Sequence, residues 1–221
     1  MAPLKTTRLY YFSVEGETEQ WYLEWLQDLI NSSSPEAKVK FNIQVQKDPL
    51  KRAKGLSMLS STKKMDIYHF SDYESDDPEH VKNFNTTMDR MNEANKIGKS
   101  IRYVFGYSNL TFDLWMVLHK ANCNGSLTHR KNYLTPINRA YNEHFEDMDH
   151  FKSEDNFKRC LGKLNLSNVI EAVNRSKQIM KRNHDNGYIL HEYKGYKYYK
   201  ENPSLEVGTV IEKILKSCGL C

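Results

Sequence analysis

Two groups of acidic residues directly follow segments with the composition of β-strands. Glu15 follows the aromatic and β-branched run RLYYFSV, and Asp72 and Glu74 follow the run MDIYHFS. Ligands of open α/β sheets bind at the carboxyl ends of the strands, so neighbouring strands would bring such residues into one crevice. Carboxylates held that close repel one another, and a hard divalent cation such as Mg²⁺ relieves the repulsion. The pattern therefore makes Glu15 and Asp72 candidates for a metal site.

The same acidic groups have a second interpretation, in which they stabilise the N-termini of helices. The helix dipole favours acidic side chains in the first turn. Four residues fit that interpretation better than they fit metal binding: Glu17, Glu19, Asp76 and Asp77. Glu15 and Asp72 precede the expected helix starts, so capping explains them less well. We keep Glu19 and Asp76 as weaker candidates for the site.

A third polar group follows the strand-like run IRYVFG. The segment SNLTFDLWMVLH begins at Ser108 and Asn109, which are residues that cap helices, and continues into an apolar helix. On spacing alone, Asp113 is an acidic residue of the first helical turn, and His119 is a core histidine that is hydrogen-bonded within the protein. The segment gains a functional interpretation only from the resemblance described below.

The elements between these groups alternate as they do in an α/β sheet. Residues 39–45 alternate apolar and polar side chains, which predicts a strand. Apolar stripes predict helices over about 18–30, with Thr18 as N-cap, over 77–98 and over 111–120. Residues 47–64 contain Pro49 and Gly55 and are predicted to be a loop with at most two helical turns. This order predicts a mostly parallel sheet flanked by helices.

The second half of the chain changes to helices separated by polar loops. Four helices are predicted, over about 133–146, 154–164, 167–182 and 206–217. We therefore expect an α/β core with the acidic site over residues 1–120, and a helical C-terminal extension over residues 121–221 that packs on it.

Composition excludes several classes of protein. With 39% hydrophobic and 27% charged residues in 221, the chain suits a folded globular protein. No apolar run approaches the ~20 residues that span a bilayer, and the N-terminus lacks the pattern of a signal peptide, so we expect a cytoplasmic protein without a membrane partner. The net charge of +4 arises entirely after residue 120, which is compatible with a polyanionic partner. The single pair Cys218 and Cys221 is weak evidence for zinc.

One stretch in the second half interleaves lysines with tyrosines. Lysines neutralise phosphates and tyrosines stack on unpaired bases, so the composition suits single-stranded nucleic acid. The candidates are Lys194, Tyr196, Lys197, Tyr198 and Lys200. The alternative is a β-hairpin with an aromatic face packed on the protein and a solvated lysine face. Both interpretations can hold together.

The order of these motifs resembles the RloB-like family, which is related to the Toprim fold and occurs in bacterial restriction and phage-defence loci. The resemblance spans residues 8 to about 212. It rests on EGETE at 15–19, DYE at 72–74, SNLTFDLW at 108–115, His119, and NPS at 202–204. Three residues depart from the pattern. Leu110 stands where the family has proline, Asp113 where it has glutamate, and Glu74 where Toprim proteins commonly have aspartate.

The resemblance implies a Toprim-like fold and metal-dependent phosphodiester chemistry. Glu15 would be a metal ligand or a general acid and base, Asp72 and Glu74 would hold Mg²⁺ or Mn²⁺, and Asp113 would complete a second-metal or substrate-orienting position. Ser108, Asn109 and His119 become weak candidates for the site. The implied activity is that of a nuclease acting on RNA or DNA in anti-phage defence, with an ATPase as partner protein.

Two other functions remain open. A catalytically inactive interaction or sensor module that partners an ATPase would fit the departures at Glu74 and Asp113. A phosphatase of the haloacid-dehalogenase kind is less favoured, because Asp72-Tyr73-Glu74 lacks the second aspartate and the small-residue turn that such enzymes need. The sequence leaves the oligomeric state open, a homodimer included.

Overall fold

A computed structural model describes residues 6–34, 37–57, 64–97 and 100–221. The strands in these residues are β1 (Thr6–Val14), β2 (Ala37–Val45), β3 (Met65–Asp72), β4 (Ile101–Asn109), β5 (His191–Tyr193), β6 (Tyr196–Tyr198) and β7 (Ser204–Leu205). The helices are α1 (Glu17–Ser33), α2 (Pro49–Ser57), α3 (Pro78–Ile97), α4 (Asp113–Leu118), α5 (Leu134–Tyr141), α6 (Met148–Lys152), α7 (Glu154–Leu161), α8 (Leu166–Asp185) and α9 (Val207–Ser217). A 3-10 turn, Arg130–Tyr133, precedes α5.

Five strands form one sheet in the order β2-β1-β3-β4-β7. The first four are parallel, and β7 pairs antiparallel with β4. The chain leaves β1 toward one edge of the sheet, to form β2, and later places β3 on the other side of β1. The strand order therefore reverses between β1 and β3, and the carboxyl ends of these two strands border the crevice in which α/β proteins bind ligands.

The side chains of the central strands alternate between two hydrophobic cores, one on each face of the sheet. Phe12 and Phe70 point to the face covered by α1, α8 and α9. Ile67 and Phe105 point to the opposite face, where α2, α3 and the β5–β6 hairpin pack. Since successive side chains of a strand lie on opposite faces, a sheet buried on both sides explains why these strands are rich in apolar residues throughout. The observed fold is thus the predicted α/β class, with a mostly parallel sheet flanked by helices.

Three local predictions in the first half are wrong in detail. Ser108 and Asn109 do not cap α4, because both lie in β4 and Phe112 occupies the N-cap. Thr18 does not cap α1, because the helix begins at Glu17 and Gly16 occupies the N-cap. The loop predicted after Lys47 contains α2, with Pro49 at its first position, where its missing N–H costs nothing. The Asp48 side chain accepts a hydrogen bond from the backbone N–H of Leu50 at 2.9 Å and so satisfies this helix end. Residues 58–63 of the same prediction lie outside the described residues.

The helices of the second half pack on the α1 side of the sheet. The predicted helix over 133–146 is shorter, because Asn142 adopts the left-handed conformation (φ 52°) that ends α5 after Tyr141. Side chains from both halves share the core beside α1, and β7 extends the sheet. The domain boundary at residue 120 stays a prediction. Within the described residues, no helix is long and apolar enough to cross a membrane.

Candidate functional site

Glu15 and Asp72 lie side by side at the carboxyl ends of β1 and β3. Val14 pairs with Phe70 across the two strands, so the chain places Glu15 opposite the end of β3. The Ser71 hydroxyl donates a hydrogen bond to Glu15 Oε1 at 2.8 Å, and the backbone N–H of Asp72 donates to Oε2 at 3.3 Å. These bonds hold the Glu15 carboxylate against the end of the neighbouring strand.

Two further carboxylates join this pair from helix N-termini. Glu19 lies in the first turn of α1 and is 7% exposed. Asp113 begins α4 and is 1% exposed, and its Oδ2 accepts a hydrogen bond from the Thr111 hydroxyl at 3.0 Å. We refer to Glu15, Glu19, Asp72 and Asp113 as the acidic cluster.

Three members of the acidic cluster, Glu15, Glu19 and Asp72, have raised pKa values, chiefly because they are buried. Burial holds the pKa of Asp72 well above its usual range, and the charges of Glu19 and Glu15 add to the shift. Burial likewise raises the pKa of Glu15 to about 7, against the opposing hydrogen bond from Ser71. Carboxyl groups so perturbed at a strand-end crevice are typical of functional sites, because a site that binds a cation or moves a proton needs them.

Lys152 is the cation that the acidic cluster already contacts. Its Nζ lies 2.9 Å from Asp113 Oδ2, and its side chain is 34% exposed. Burial opposes the charge of the ammonium, but Asp113, Asp72 and Glu19 outweigh it and raise the pKa of Lys152. Lys152 ends α6, and the preceding Phe151 is fully buried. The helix thus fixes where the lysine enters the cluster.

Glu74 lies at the same strand end but interacts with other groups. It has a left-handed backbone conformation (φ 58°), which turns the chain after β3. Its carboxylate lies 3.1 Å from Nε2 of His80 and 3.7 Å from Arg130. Glu74 therefore has basic neighbours of its own, whereas the charges that act on Asp72 come from the acidic cluster and Lys152.

An open cleft of about 340 Å³ reaches three members of the acidic cluster, and the fourth, Asp113, is buried and does not line it. Glu15, Glu19, Asp72 and Glu74 line it together with three basic residues, Lys47, Arg130 and Lys152. The cleft thus has an acidic floor and basic side chains around it. This distribution suits a ligand that combines a cation with an anion, such as a metal-bound phosphate.

Of the weak candidates, Glu19 belongs to the acidic cluster, and the other four make their contacts outside it. Asp76 accepts a hydrogen bond from the Tyr73 hydroxyl at 2.7 Å, and the amide of Asn109 donates to the carbonyl of Lys200 at 2.8 Å. Ser108 is buried at 1% exposure, and its backbone carbonyl accepts from Tyr73 at 2.8 Å. His119 contacts the Trp115 carbonyl at 2.8 Å and the Tyr22 hydroxyl at 3.2 Å, and burial lowers its pKa to about 4. These contacts describe His119 as a neutral core histidine.

The tyrosine–lysine stretch forms the β5–β6 hairpin, which packs its aromatic face on the protein. Tyr198 is 6% exposed, and the Tyr196 hydroxyl accepts a hydrogen bond from Asn95 at 3.1 Å. Lys194 lies 3.7 Å from Asp89, and Lys197 lies 3.9 Å from Glu192. This is the arrangement of the hairpin interpretation, and nucleic-acid binding by its lysines, with Lys200, stays a prediction.

Comparison with known protein families identifies the chain. The family described as RloB-like protein matches residues 10–214, which is nearly the whole sequence. The chain belongs to the RloB-like family. Neither the curated proteins nor the solved structures gave a match.

The donor set of this RloB-like chain fits an oxygen-seeking cation in its chemistry. Carboxylate oxygens are the ligands that Mg²⁺ prefers, and Asp113 Oδ1 is buried without a hydrogen-bond partner in the described part of the chain. Across the same residues, no three His, Cys, Asp or Glu side chains are already spaced to hold a metal ion.

Sequence reasoning missed the basic residues of the cleft. Lys47, Arg130 and Lys152 lie in polar segments whose residues form no recognisable motif. The positive excess after residue 120 is a signal for Arg130 and Lys152 only, and it does not say which basic residues reach the site.

Proposed function

We propose that this RloB-like chain is a metal-dependent nuclease that hydrolyses phosphodiester bonds and acts on RNA. The observation that carries the proposal is the convergence of Glu15, Glu19 and Asp72 in a cleft with basic side chains, one of which, Lys152, is paired with the buried Asp113. Glu15 and Asp72 would hold Mg²⁺ or Mn²⁺, with Asp113 as a further ligand or substrate-orienting group. When bound, the cation supplies Lewis-acid polarisation of the phosphate.

The residues of the chain supply proton transfer and charge balance. Glu15 has an alternative role if Asp72 and Asp113 hold the cation without it: its pKa, raised by burial to about 7, then suits a general base at neutral pH. In that role Glu15 takes a proton from the attacking water, and a water molecule on the opposite side of the phosphate protonates the leaving oxygen as the P–O bond breaks. The Ser71 hydroxyl holds the Glu15 carboxylate in place, and the basic residues of the cleft balance the charge of the phosphate.

The biological setting is proposed from the family. RloB-like proteins resemble Toprim proteins of phage-defence loci, so we propose an effector of anti-phage defence that works in the cytoplasm with an ATPase. The mild positive excess of the second half supports nucleic acid as the substrate over a small phosphoester.

One observation favours a second function, that of a catalytically inactive interaction or sensor module. Lys152 already neutralises Asp113, and Glu74 is paired with His80 and Arg130, so part of the expected ligand set is occupied by protein groups. A site that has lost its metal would keep such internal ion pairs.

Mutation of the acidic cluster separates the two functions. Glu15→Gln and Asp72→Asn should each lower Mn²⁺-dependent hydrolysis of a labelled single-stranded RNA by at least ~100-fold. Loss of a group that only hydrogen-bonds to a metal ligand costs about 10–100-fold, and loss of the ligand itself should cost more. Circular dichroism should show both variants folded.

The matched control is Asp77→Asn, since this carboxylate lies in the same loop as Asp72 but its side chain is 76% exposed. Asp77→Asn should retain the hydrolysis of the unaltered protein. Full hydrolysis in both cluster variants, or none in the unaltered protein with either metal, would favour the inactive module.

A further inference from the structure

Basic side chains from three separate segments surround the acidic cluster. Lys47 follows β2, Arg130 begins the 3-10 turn, and Lys152 ends α6. All three line the cleft that exposes Glu15 and Asp72. Two of the three come from the second half of the chain, so the helical part contributes side chains to the site as well as packing on the sheet.

Lys152 differs from the other two basic residues in its place. It lies deeper, at 34% side-chain exposure against 58% for Arg130, and it contacts the acidic cluster directly through Asp113. The ion pair uses one oxygen of Asp113 only. The other, Oδ1, is buried and has no hydrogen-bond partner in the described residues. An ammonium carries three donors, and Asp113 is the ion-pair partner that the structure gives it. Lys152 can therefore accept a second anion from the cleft.

The surroundings of Lys152 hold it at this position. Phe151, the residue before it, packs between Phe145 and Phe157, with ring centroids 5.5 Å apart in both contacts. Phe157 in turn lies 5.9 Å from Trp21 of α1. This aromatic row ties α6 to the helix that carries Glu19, so the ammonium and the carboxylates are positioned by the same packing.

We propose that Lys152 binds a non-bridging phosphate oxygen of the substrate, with Asp113 holding its ammonium in place. The proposal rests on the proposed nuclease function and adds to it a phosphate-binding residue from the second half of the chain. A lysine binds phosphate as a point charge, and one placed beside carboxylates keeps its charge at neutral pH. In the free protein the same ammonium offsets part of the negative charge of the acidic cluster.

Binding of a short labelled single-stranded RNA tests the proposal. Anisotropy is measured at several salt concentrations in Ca²⁺, which also takes carboxylate ligands. Lys152→Gln should weaken binding about 10-fold or more, since hydrogen bonds to charged groups contribute that much. The slope of log K against log salt should fall by about 0.7, the value for one phosphate contact on a single strand. Lys152→Arg should restore most of the affinity.

Lys163→Gln is the matched control. Lys163 is similarly exposed, at 38%, and pairs with Glu143 at 2.6 Å away from the cleft. Its variant should bind RNA with unaltered affinity and salt slope. A folded Lys152→Gln variant that binds as the unaltered protein does would overturn the proposal and leave Lys152 as an internal counter-ion.

A second comparison covers the case in which Lys152→Gln does not fold because Asp113 is left unpaired. Asp113→Asn and Asp113→Asn/Lys152→Gln both lack that buried charge and differ only in the lysine. The double variant should bind RNA about 10-fold or more weakly than the single one. Equal affinity in the two would overturn the proposal.

Hydrolysis, measured separately in Mn²⁺, keeps the two proposals distinct. RNA binding that depends on Lys152 without hydrolysis would remove the nuclease function and keep the phosphate contact. Unaltered hydrolysis in Lys152→Gln would remove the phosphate contact and keep the nuclease function. An unaltered protein that neither binds nor hydrolyses RNA would overturn both.

Discussion

The acidic cleft and the β5–β6 hairpin are both rich in residues that bind nucleic acids or metals, yet their side chains are used differently. In the hairpin, Tyr198 is buried in the core, and the lysines have carboxylates nearby, as Lys194 has Asp89. In the cleft, burial raises the pKa values of Asp72 and Glu15, and neighbouring carboxylates raise them further. Only the cleft holds charge that the described side chains leave incompletely balanced.

The difference shows that residue type alone does not identify a site. In a two-stranded hairpin alternate side chains face the protein and the solvent, so the tyrosines pack on the protein and the lysines stay on the outer face. Carboxylates from β1, β3, α1 and α4 meet only through the fold, and such a meeting is unfavourable unless a cation or a proton compensates it. Unbalanced charge brought together by distant segments is therefore the stronger indication of function.

The largest expected effect is the loss of stability when Tyr198 is truncated. Tyr198→Ala should lower the free energy of unfolding by about 3 kcal/mol, as removal of a buried aromatic ring does. Its ring centroid lies 5.1 Å from that of Phe84 and 5.9 Å from that of Tyr73, and both contacts would be lost. Urea denaturation followed by circular dichroism measures the change.

Tyr188→Ala is the control, because that side chain is 41% exposed, and it should change stability by no more than ~0.5 kcal/mol. A Tyr198→Ala variant of undiminished stability that binds RNA more weakly would mean that the ring stacks on a base, and the contrast between the two regions would fail.

The sequence predicts most of the fold and part of the site, and the difference has a physical basis. Alternation and apolar stripes are local signals, so β1, β3 and α3 are found within a few residues of their observed ends. Glu15 and Asp72 are predicted together because parallel strands end at one edge of a sheet. Lys152 is not predicted, since α6 reaches the cleft through an aromatic row that involves α1 and α7, and no short-range pattern encodes that contact.

A smaller effect is expected from the pH dependence of stability in the acidic cluster. The pKa of Glu15 is about 7 in the folded protein, mainly because of burial, and about 4.3 in the unfolded chain. At Glu15 the folded state therefore binds more protons between these values, so the contribution of this residue to stability falls as the pH rises from about 4.3 to 7. With a chelator present, the Glu15→Gln variant lacks this contribution. The free energy of unfolding of the variant minus that of the unaltered protein should therefore rise by about 2 kcal/mol from pH 5 to pH 8.

Burial lowers the pKa values of His69 and His119, and their contribution cancels in this comparison because both proteins retain them. Parallel pH profiles for the two proteins would show that Glu15 is not perturbed. The cleft would then resemble the hairpin, with its charges locally balanced.

The smallest expected effect concerns the solvated lysines of the hairpin. Lys194, Lys197 and Lys200 lie on or beside its outer face, where an exposed ion pair contributes between about 0 and 1 kcal/mol. The triple change to Gln should therefore leave the melting temperature within a degree or two of that of the unaltered protein. If the lysines contact RNA, the slope of log K against log salt should fall by up to ~2, because each lost phosphate contact on a single strand accounts for about 0.7. The comparison with Lys152→Gln then ranks the two regions as binding surfaces.

An unaltered slope in the triple variant would remove the hairpin from the binding surface, and Lys51, Arg52 and Lys54 of α2 would be the next basic group to change. Of these, Arg52 is 7% exposed and its guanidinium donates to Gln44 at 2.8 Å, so Lys51, which is exposed, is the first to replace.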